Sequence, residues 1–352
     1  METEIIQIKG DCEEPAAESK LRQAGSIIKE GGLVAFPTET VYGLGGDAFN
    51  PESSRKIYAA KGRPSDNPLI IHIYRFQDIY EIVEEVPEEA LKIADAFWPG
   101  PLTMILHKSK RVPYETTGGL DTVAVRFPSH PIARKLIEYG GGYIAAPSAN
   151  ASGRPSPTKA GYVVEDMNGR IDAIVDGGPC GVGVESTIID LTSPVPRLLR
   201  PGGLPLEALR ETLGEVEVDK AVLAPLRAGE KPKAPGMKYR HYAPKAPVTV
   251  VTGESRCTAR YIRRHRGEHT GVICFDEYKS EFPGCVVESI GSSQDKAEQA
   301  RRVFDALRAF DETDVNAIYA QCPSDAGLGL AVANRLKKAA GFQIVDAGEA
   351  EL

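Results

Sequence analysis

The 352-residue chain has no long hydrophobic run. Its apolar stretches, such as LVAF at 33–36 and AIV at 173–175, fall far short of the ~20 residues that cross a bilayer, which argues against a membrane span. The N-terminal METEIIQIKG carries acidic residues where a signal peptide needs a basic region, so a cytoplasmic protein is expected. Paired cysteines are missing too. Cys12, Cys180, Cys257, Cys274, Cys285 and Cys322 never come within ten residues of one another, which excludes a C-x-x-C metal or redox pair. His265 and His269 have the i, i+4 spacing of a metal site, but Gly267 interrupts any helix in RRHRGEH, and a solvated charged surface is the expected reading.

Positive charge is also in short supply. The chain carries a formal net charge of −7, with 22 Lys and Arg against 29 Asp and Glu in residues 1–213 and 20 against 20 in residues 214–352. Neither half advertises a general nucleic-acid surface. Nucleotide signatures are absent: there is no G-x-x-x-x-G-K-[ST] loop, and the glycines of GLGGD at 43–47 and GGPCGVG at 177–183 do not spell G-x-G-x-x-G. The missing G-x-S-x-G elbow and H-E-x-x-H pair weaken hydrolase and zinc-protease readings.

What is present is an α/β pattern, twice. A chain of this length is long for one core, so two domains are expected. In residues 1–213, short β-type runs at 33–37, 69–74, 102–106, 122–127, 143–146, 173–176, 186–191 and 197–200 alternate with helical stretches. One helix begins at Pro15, and another is capped by Asn50 with Pro51 at its first position and runs to about Lys61. Residues 214–247 lose periodicity and carry five prolines from Pro225 to Pro247, which reads as a linker. Strand and helix then alternate again over 248–352, as in a small open sheet covered by helices.

Two segments collect groups suited to phosphate. KGRPSDNPLIIH at 61–72 places Lys61 and Arg63 on a turn stiffened by Gly62 and Pro64. PSANASGRPSP at 147–157 crowds Ser148, Asn150, Ser152, Arg154 and Ser156 into a loop beyond a strand, the default ligand crevice of α/β sheets. Each has a blander reading, as cations completing a helix end and as an ordinary polar turn.

Together with PTETVYGLG at 37–45, GPLT at 100–103, VAVRFP at 123–128, APSAN at 146–150, STIID at 186–190 and LRPG at 199–202, these segments resemble the YrdC-like threonylcarbamoyl-AMP synthase family over residues 15–205. PGMKYRHYAP at 235–244, followed by a second domain, resembles its long form. The resemblance implies a twisted, mostly parallel sheet around a positively charged cavity, followed by a small Rossmann-like α/β domain. It implies that L-threonine, bicarbonate and ATP are joined into threonylcarbamoyl-AMP and pyrophosphate, with Mg²⁺ on the ATP phosphates and no metal ligand from protein side chains. Downstream transferase proteins would then modify tRNA next to the anticodon; whether this chain touches tRNA stays open.

By the same matching, Lys61, Arg63, Ser148 and Asn150 form the catalytic tetrad. Asn67, Thr122, Ser156, Arg200 and Tyr242 join Arg63 and Ser148 at ATP, while Thr40, His72, Arg126, Ala146 and Ser186 serve threonine. Arg126 suits the substrate carboxylate because a guanidinium offers two parallel donors. Taken singly, His72 reads as a core histidine, Arg126 as a structural ion pair, and Thr40 and Ser186 as turn or cap residues. The alternatives are a carbamoyl-adenylate-forming maturation protein, whose C-x-x-C fingers are not visible, and a non-catalytic RNA-binding module, which the negative charge disfavours. The basic, acid-free stretch at 231–245, with Lys231, Lys233, Lys238, Tyr239, Arg240, His241, Tyr242 and Lys245, is expected to fold back as a lid over the nucleotide.

Overall fold

The computed structural model describes residues 2–224, 234, 237 and 241–348. The first sheet is assembled from β1 (Glu4–Gln7), β2 (Val34–Phe36), β3 (Gly43–Asp47), β4 (Ile70–His72), β5 (Leu102–His107), β6 (Thr122–Arg126), β7 (Ile144–Ala146), β8 (Ala173–Asp176), β9 (Thr187–Asp190), β10 (Arg197–Arg200) and β11 (Glu217–Val218). Its spatial order is β1-β8-β2-β3-β7-β4-β6-β5-β9-β10-β11. Five neighbouring pairs run parallel and five antiparallel. The sheet is therefore mixed, not mostly parallel. Residues 37–42 and 191–196 are too short for a helical crossover, so β2–β3 and β9–β10 turn back on themselves as antiparallel pairs.

Its helices are α1 (Pro15–Lys29), α2 (Pro51–Lys61), α3 (Glu88–Phe97), α4 (Tyr114–Thr117), α5 (Pro131–Tyr139), α6 (Ala160–Met167), α7 (Leu206–Leu213) and α8 (Lys220–Leu223). The α2 boundaries agree with the sequence reading. Asn50 accepts from Glu52 N–H at 3.0 Å, Pro51 occupies the first turn, and Gly62 closes the helix in the left-handed region at φ 62°.

The second sheet contains β12 (Val248–Thr252), β13 (Thr270–Cys274), β14 (Val286–Ser289), β15 (Ala317–Gln321) and β16 (Ile344–Asp346), with α9 (Ser255–His265), α10 (Lys296–Ala309) and α11 (Gly329–Ala339). Every pairing in it is parallel, in the order β14-β13-β15-β12-β16. The stretch read as an aperiodic linker starts inside the first sheet, since β11 pairs with β10 and Asp219 caps α8. Lys231, Lys233, Lys238, Tyr239 and Arg240 lie outside the described residues. Ala234 and Met237 pack with Ile70, Ile188 and Leu199. No helix among the described residues is long and apolar enough to cross a membrane.

The two sheets are held together through α10 and α11. Arg308 of α10 reaches Asp166 at 2.8 Å and the Pro155 carbonyl at 2.6 Å, and Arg335 of α11 reaches Glu185 at 2.7 Å. Contact is close enough to require glycine at 183: φ is +87°, and a Cβ there would stand 2.3 Å from Arg301 Cα on α10.

Candidate active site

In β4, alternation puts Ile70 and His72 on one face. Register sets His72 beside Arg126 of β6, and Ile70 beside Ala146 of β7. A cavity of about 680 Å³, counting its open mouth, spreads over this face. It reaches the turn after α2 and the loop after β7, so it is not confined to the strand ends. Among the described residues its wall carries four cations, Lys61, Arg63, Arg126 and Arg200, against one carboxylate, Glu185.

The cations are held mostly by main-chain carbonyls. Lys61, 3% exposed, donates to the carbonyls of Ser148 and Asn150 at 2.5 Å each. Its own carbonyl accepts from Ser152 N–H at 2.8 Å, tying the end of α2 to the following loop. Burial, with Arg63 adding to it, pushes the Lys61 ammonium well below its ordinary range. Arg63 donates to the Asn67 and Pro68 carbonyls at 3.1 and 3.0 Å, and Arg200 to the Ser186 carbonyl at 3.1 and 2.9 Å. Burial brings both guanidiniums down to about 10. Gly202 of LRPG is explained by the same crowding, since a Cβ there would meet the Glu185 carbonyl at 2.2 Å.

The S-x-N loop is self-supporting. Ser148 Oγ donates to Asn150 Oδ1 at 2.5 Å, and Asn150 Nδ2 donates to the Ala151 and Arg154 carbonyls at 2.9 Å. Ser186 Oγ lies 2.8 Å from Thr103 Oγ1. His72 Nδ1 sits 3.1 Å from the Ile70 carbonyl, and burial followed by the Arg126 charge lowers the imidazole to about 3, so it is neutral.

Ten of the sequence-selected residues thus line one cavity: Lys61, Arg63, His72, Arg126, Ala146, Ser148, Asn150, Ser186, Arg200 and Tyr242. Four do not. Thr40 stands behind the wall, its Oγ1 2.9 Å from Thr38 Oγ1, and Ser156 donates to Glu185 at 2.6 Å. Asn67 gives its carbonyl to Arg63, and Thr122 sits at the end of β6 away from Arg126, paired with His107. Arg126 is itself engaged, donating Nη2 to Glu39 at 2.7 Å.

Sequence reasoning missed Glu185 and Glu39, whose partners are distant in the chain; His241, expected only as part of the basic lid stretch, lines the cavity itself. Glu185 joins the domains: Ser156 and Arg335 occupy its two oxygens. Burial would raise its carboxyl, but Arg335, Arg200 and the Ser156 hydroxyl overcome that and hold it at about 2. Tyr242 adopts φ 63°, a backbone region uncommon for a residue with a side chain. Its ring packs 5.1 Å from Phe304 and lies under the Arg335 guanidinium at 5.5 Å, so the second domain fixes it. Burial, then the Glu185 charge, raises its hydroxyl to about 12, while burial lowers His241 to about 3.

Comparison with known proteins gives matches over nearly the whole chain. A family model described as telomere recombination matches residues 26–202, and one described as threonylcarbamoyl-AMP synthase, C-terminal domain, matches residues 204–341. A threonylcarbamoyl-AMP synthase of Pyrococcus abyssi is 50% identical, covering 97% of this chain and 99% of its own. One from Bacillus subtilis is 45% identical over 93% and 95%. The crystal structure of P. abyssi Sua5 complexed with L-threonine superposes with a TM-score of 0.88 at 47% identity, covering 98% of this chain and 99% of that one.

Proposed function

The chain belongs to the threonylcarbamoyl-AMP synthase family in its long, two-domain form, and on that premise we propose that its cavity joins L-threonine, bicarbonate and ATP into threonylcarbamoyl-AMP and pyrophosphate. The observation that carries this reading is a wall of four cations against one carboxylate, buried in a chain of net charge −7. Buried charges are costly unless paired, and Lys61, Arg63 and Arg200 have mainly carbonyls for company. A triphosphate offsets that cost.

Threonine's amine combines with bicarbonate to give a carbamate and water, and a carbamate oxygen attacks the α-phosphate as pyrophosphate leaves. Little covalent chemistry falls to the protein, so positioning and charge stabilisation dominate. Lys61, Arg63, Ser148 and Asn150 are assigned to the phosphates, with Arg200 and Tyr242 beside the nucleotide. Arg126, His72, Ser186 and the backbone at Ala146 are assigned to threonine. Asn67, Thr122, Ser156 and Thr40 are kept as substrate-site residues acting from behind the wall or at its edge.

No cluster of three His, Cys, Asp or Glu able to hold a metal occurs among the described residues, and Glu185 is already occupied by Arg335 and Ser156. Mg²⁺ carried on the ATP phosphates would supply the charge that neutralises the leaving group. Residues 1–213 form the catalytic domain in this reading, with β11 of the next stretch completing its sheet, 214–247 the linker and lid, and 248–352 the second domain. The lid is supported by His241 and Tyr242, which lie in the cavity wall; its closure over bound nucleotide would keep water from the adenylate. The product passes, in the cytoplasm, to the proteins that modify tRNA.

Pyrophosphate release from ATP is expected to need both threonine and bicarbonate. Assays omitting one substrate at a time check this, and equal release without either would sink the reading. Arg126→Lys is expected to raise the threonine KM far more than the ATP KM, because a point charge cannot replace the planar fork. Initial rates at varied threonine and varied ATP give the two constants; a defect confined to ATP would remove Arg126 from the threonine subsite.

A further inference from the structure

Arg126 does not face the cavity alone. It is 4% exposed and gives Nη2 to Glu39 Oε1 at 2.7 Å. That bond leaves both partners half used: Arg126 Nε and Glu39 Oε2 are buried without a hydrogen-bond partner among the described residues. Nε and Nη2 form one edge of the guanidinium, and a carboxylate kept only to hold the arginine would ordinarily take both. Two orphaned polar atoms in one buried pair call for an explanation.

The backbone under Glu39 is pinned. Its carbonyl accepts from Val182 N–H at 2.8 Å, and Thr38 Oγ1 accepts from the N–H groups of Thr40 and Val41 at 3.2 and 3.3 Å. Thr38 and Val41, on either side, line the cavity. Only the Glu39 side chain is left to adjust.

An unused donor beside an unused acceptor, on a pair whose charges cancel, complements a ligand that carries an anion and a cation one carbon apart and has no net charge. An α-amino acid is such a ligand. A simple carboxylic acid is not, because it brings a second negative charge to a place that already holds Glu39. The rest of the cavity cannot make this distinction: its excess of cations attracts a bare carboxylate more strongly than a zwitterion. His72 and Cys180, which feel the Arg126 charge, are kept neutral by burial, burial likewise lowers His130 beside Glu39, and Arg200, which also feels Arg126, is a cation, so none of them offers a negative charge to an ammonium group.

We infer that Glu39 reads the α-ammonium group of the substrate while Arg126 takes its carboxylate, so that Glu39 admits amino acids and rejects their deaminated analogues. The inference rests on the reading of Arg126 as the carboxylate anchor. Before substrate arrives, Glu39 keeps the arginine neutralised; on arrival, the zwitterion supplies an acceptor to Nε and a donor to Oε2.

The test is calorimetric titration of the full chain with L-threonine and with 3-hydroxybutanoate, which is threonine without its amine. Wild type is expected to prefer threonine. In Glu39→Gln, threonine should weaken by about tenfold to a hundredfold, the worth of a hydrogen bond to a charged group. 3-Hydroxybutanoate should bind as before or more tightly, so that the preference collapses. Parallel weakening of the two ligands would make Glu39 a mere support for Arg126 and overturn the inference, as would unchanged threonine binding. Glu39→Asp keeps the charge and should keep the preference; its loss in folded Glu39→Asp overturns the inference even if Glu39→Gln does not fold. Arg126→Lys separates the two readings. Undiminished threonine binding there refutes Arg126 as the anchor, while the Glu39→Gln comparison still reports on the ammonium group.

Discussion

Replacing Lys61 by alanine is expected to lower the turnover of pyrophosphate release by about tenfold to a thousandfold, the range for removing one contact to charge that develops in a transition state. Lys61 is held in the wall by the Ser148 and Asn150 carbonyls, at the junction of the two phosphate-suited segments. A lysine that only completed a helix end would contribute a fraction of a kcal/mol to stability and nothing to turnover. Its Nζ instead contacts the S-x-N loop. Arg63→Ala should fall in the same range, since its guanidinium lines the same wall. The measurement is kcat at saturating ATP, threonine and bicarbonate, with a thermal melt to show that each variant folds. Full turnover in a folded Lys61→Ala protein would return the residue to a structural role.

The second large effect is expected across the domain boundary. Arg335→Met leaves Glu185 buried and facing the cavity without its guanidinium, and removing one partner of a buried pair costs about 3–5 kcal/mol. The pH dependence follows from the sign of the Glu185 shift. Its carboxyl is held at about 2 against an ordinary 4.5. In the wild type the pair therefore contributes stability in full above about 4.5, and that contribution is lost as pH falls through about 2. Without Arg335 the carboxyl rises, and the acid limb of the stability curve moves to higher pH.

Denaturant unfolding of both proteins across pH 2–7 checks this, and curves that coincide at every pH would contradict it. Activity should fall as well, because Arg335 also lies over the Tyr242 ring. Replacing both partners, as in Arg335→Met with Glu185→Met, is expected to recover part of the stability but not the activity. An apolar pair can fill the space, yet it leaves Ser156 without its acceptor.

The sequence by itself determined what depends on residues a few positions apart. Asn50 and Pro51 open α2, Gly62 closes it, and the turn that follows carries Arg63; all of this rests on backbone preferences within one or two helical turns. Ser148 and Asn150 bond within their own loop, so their placement was equally legible. Alternation of strand and helix gave two α/β units for the same local reason.

Tertiary structure decided everything that joins distant segments. Strand direction depended on which connections are too short for a crossover, which made the first sheet mixed. Glu185 and Arg335 are 150 residues apart, and Arg126 and Glu39 are 87 apart. Glu39 sits inside PTETVYGLG and Glu185 directly before STIID, yet nothing beside either in sequence marks its partner. Their roles arise only when α11 docks on the first sheet and when β6 aligns beside the loop after β2, because a buried charge is fixed by whichever opposite charge the fold brings within hydrogen-bonding distance.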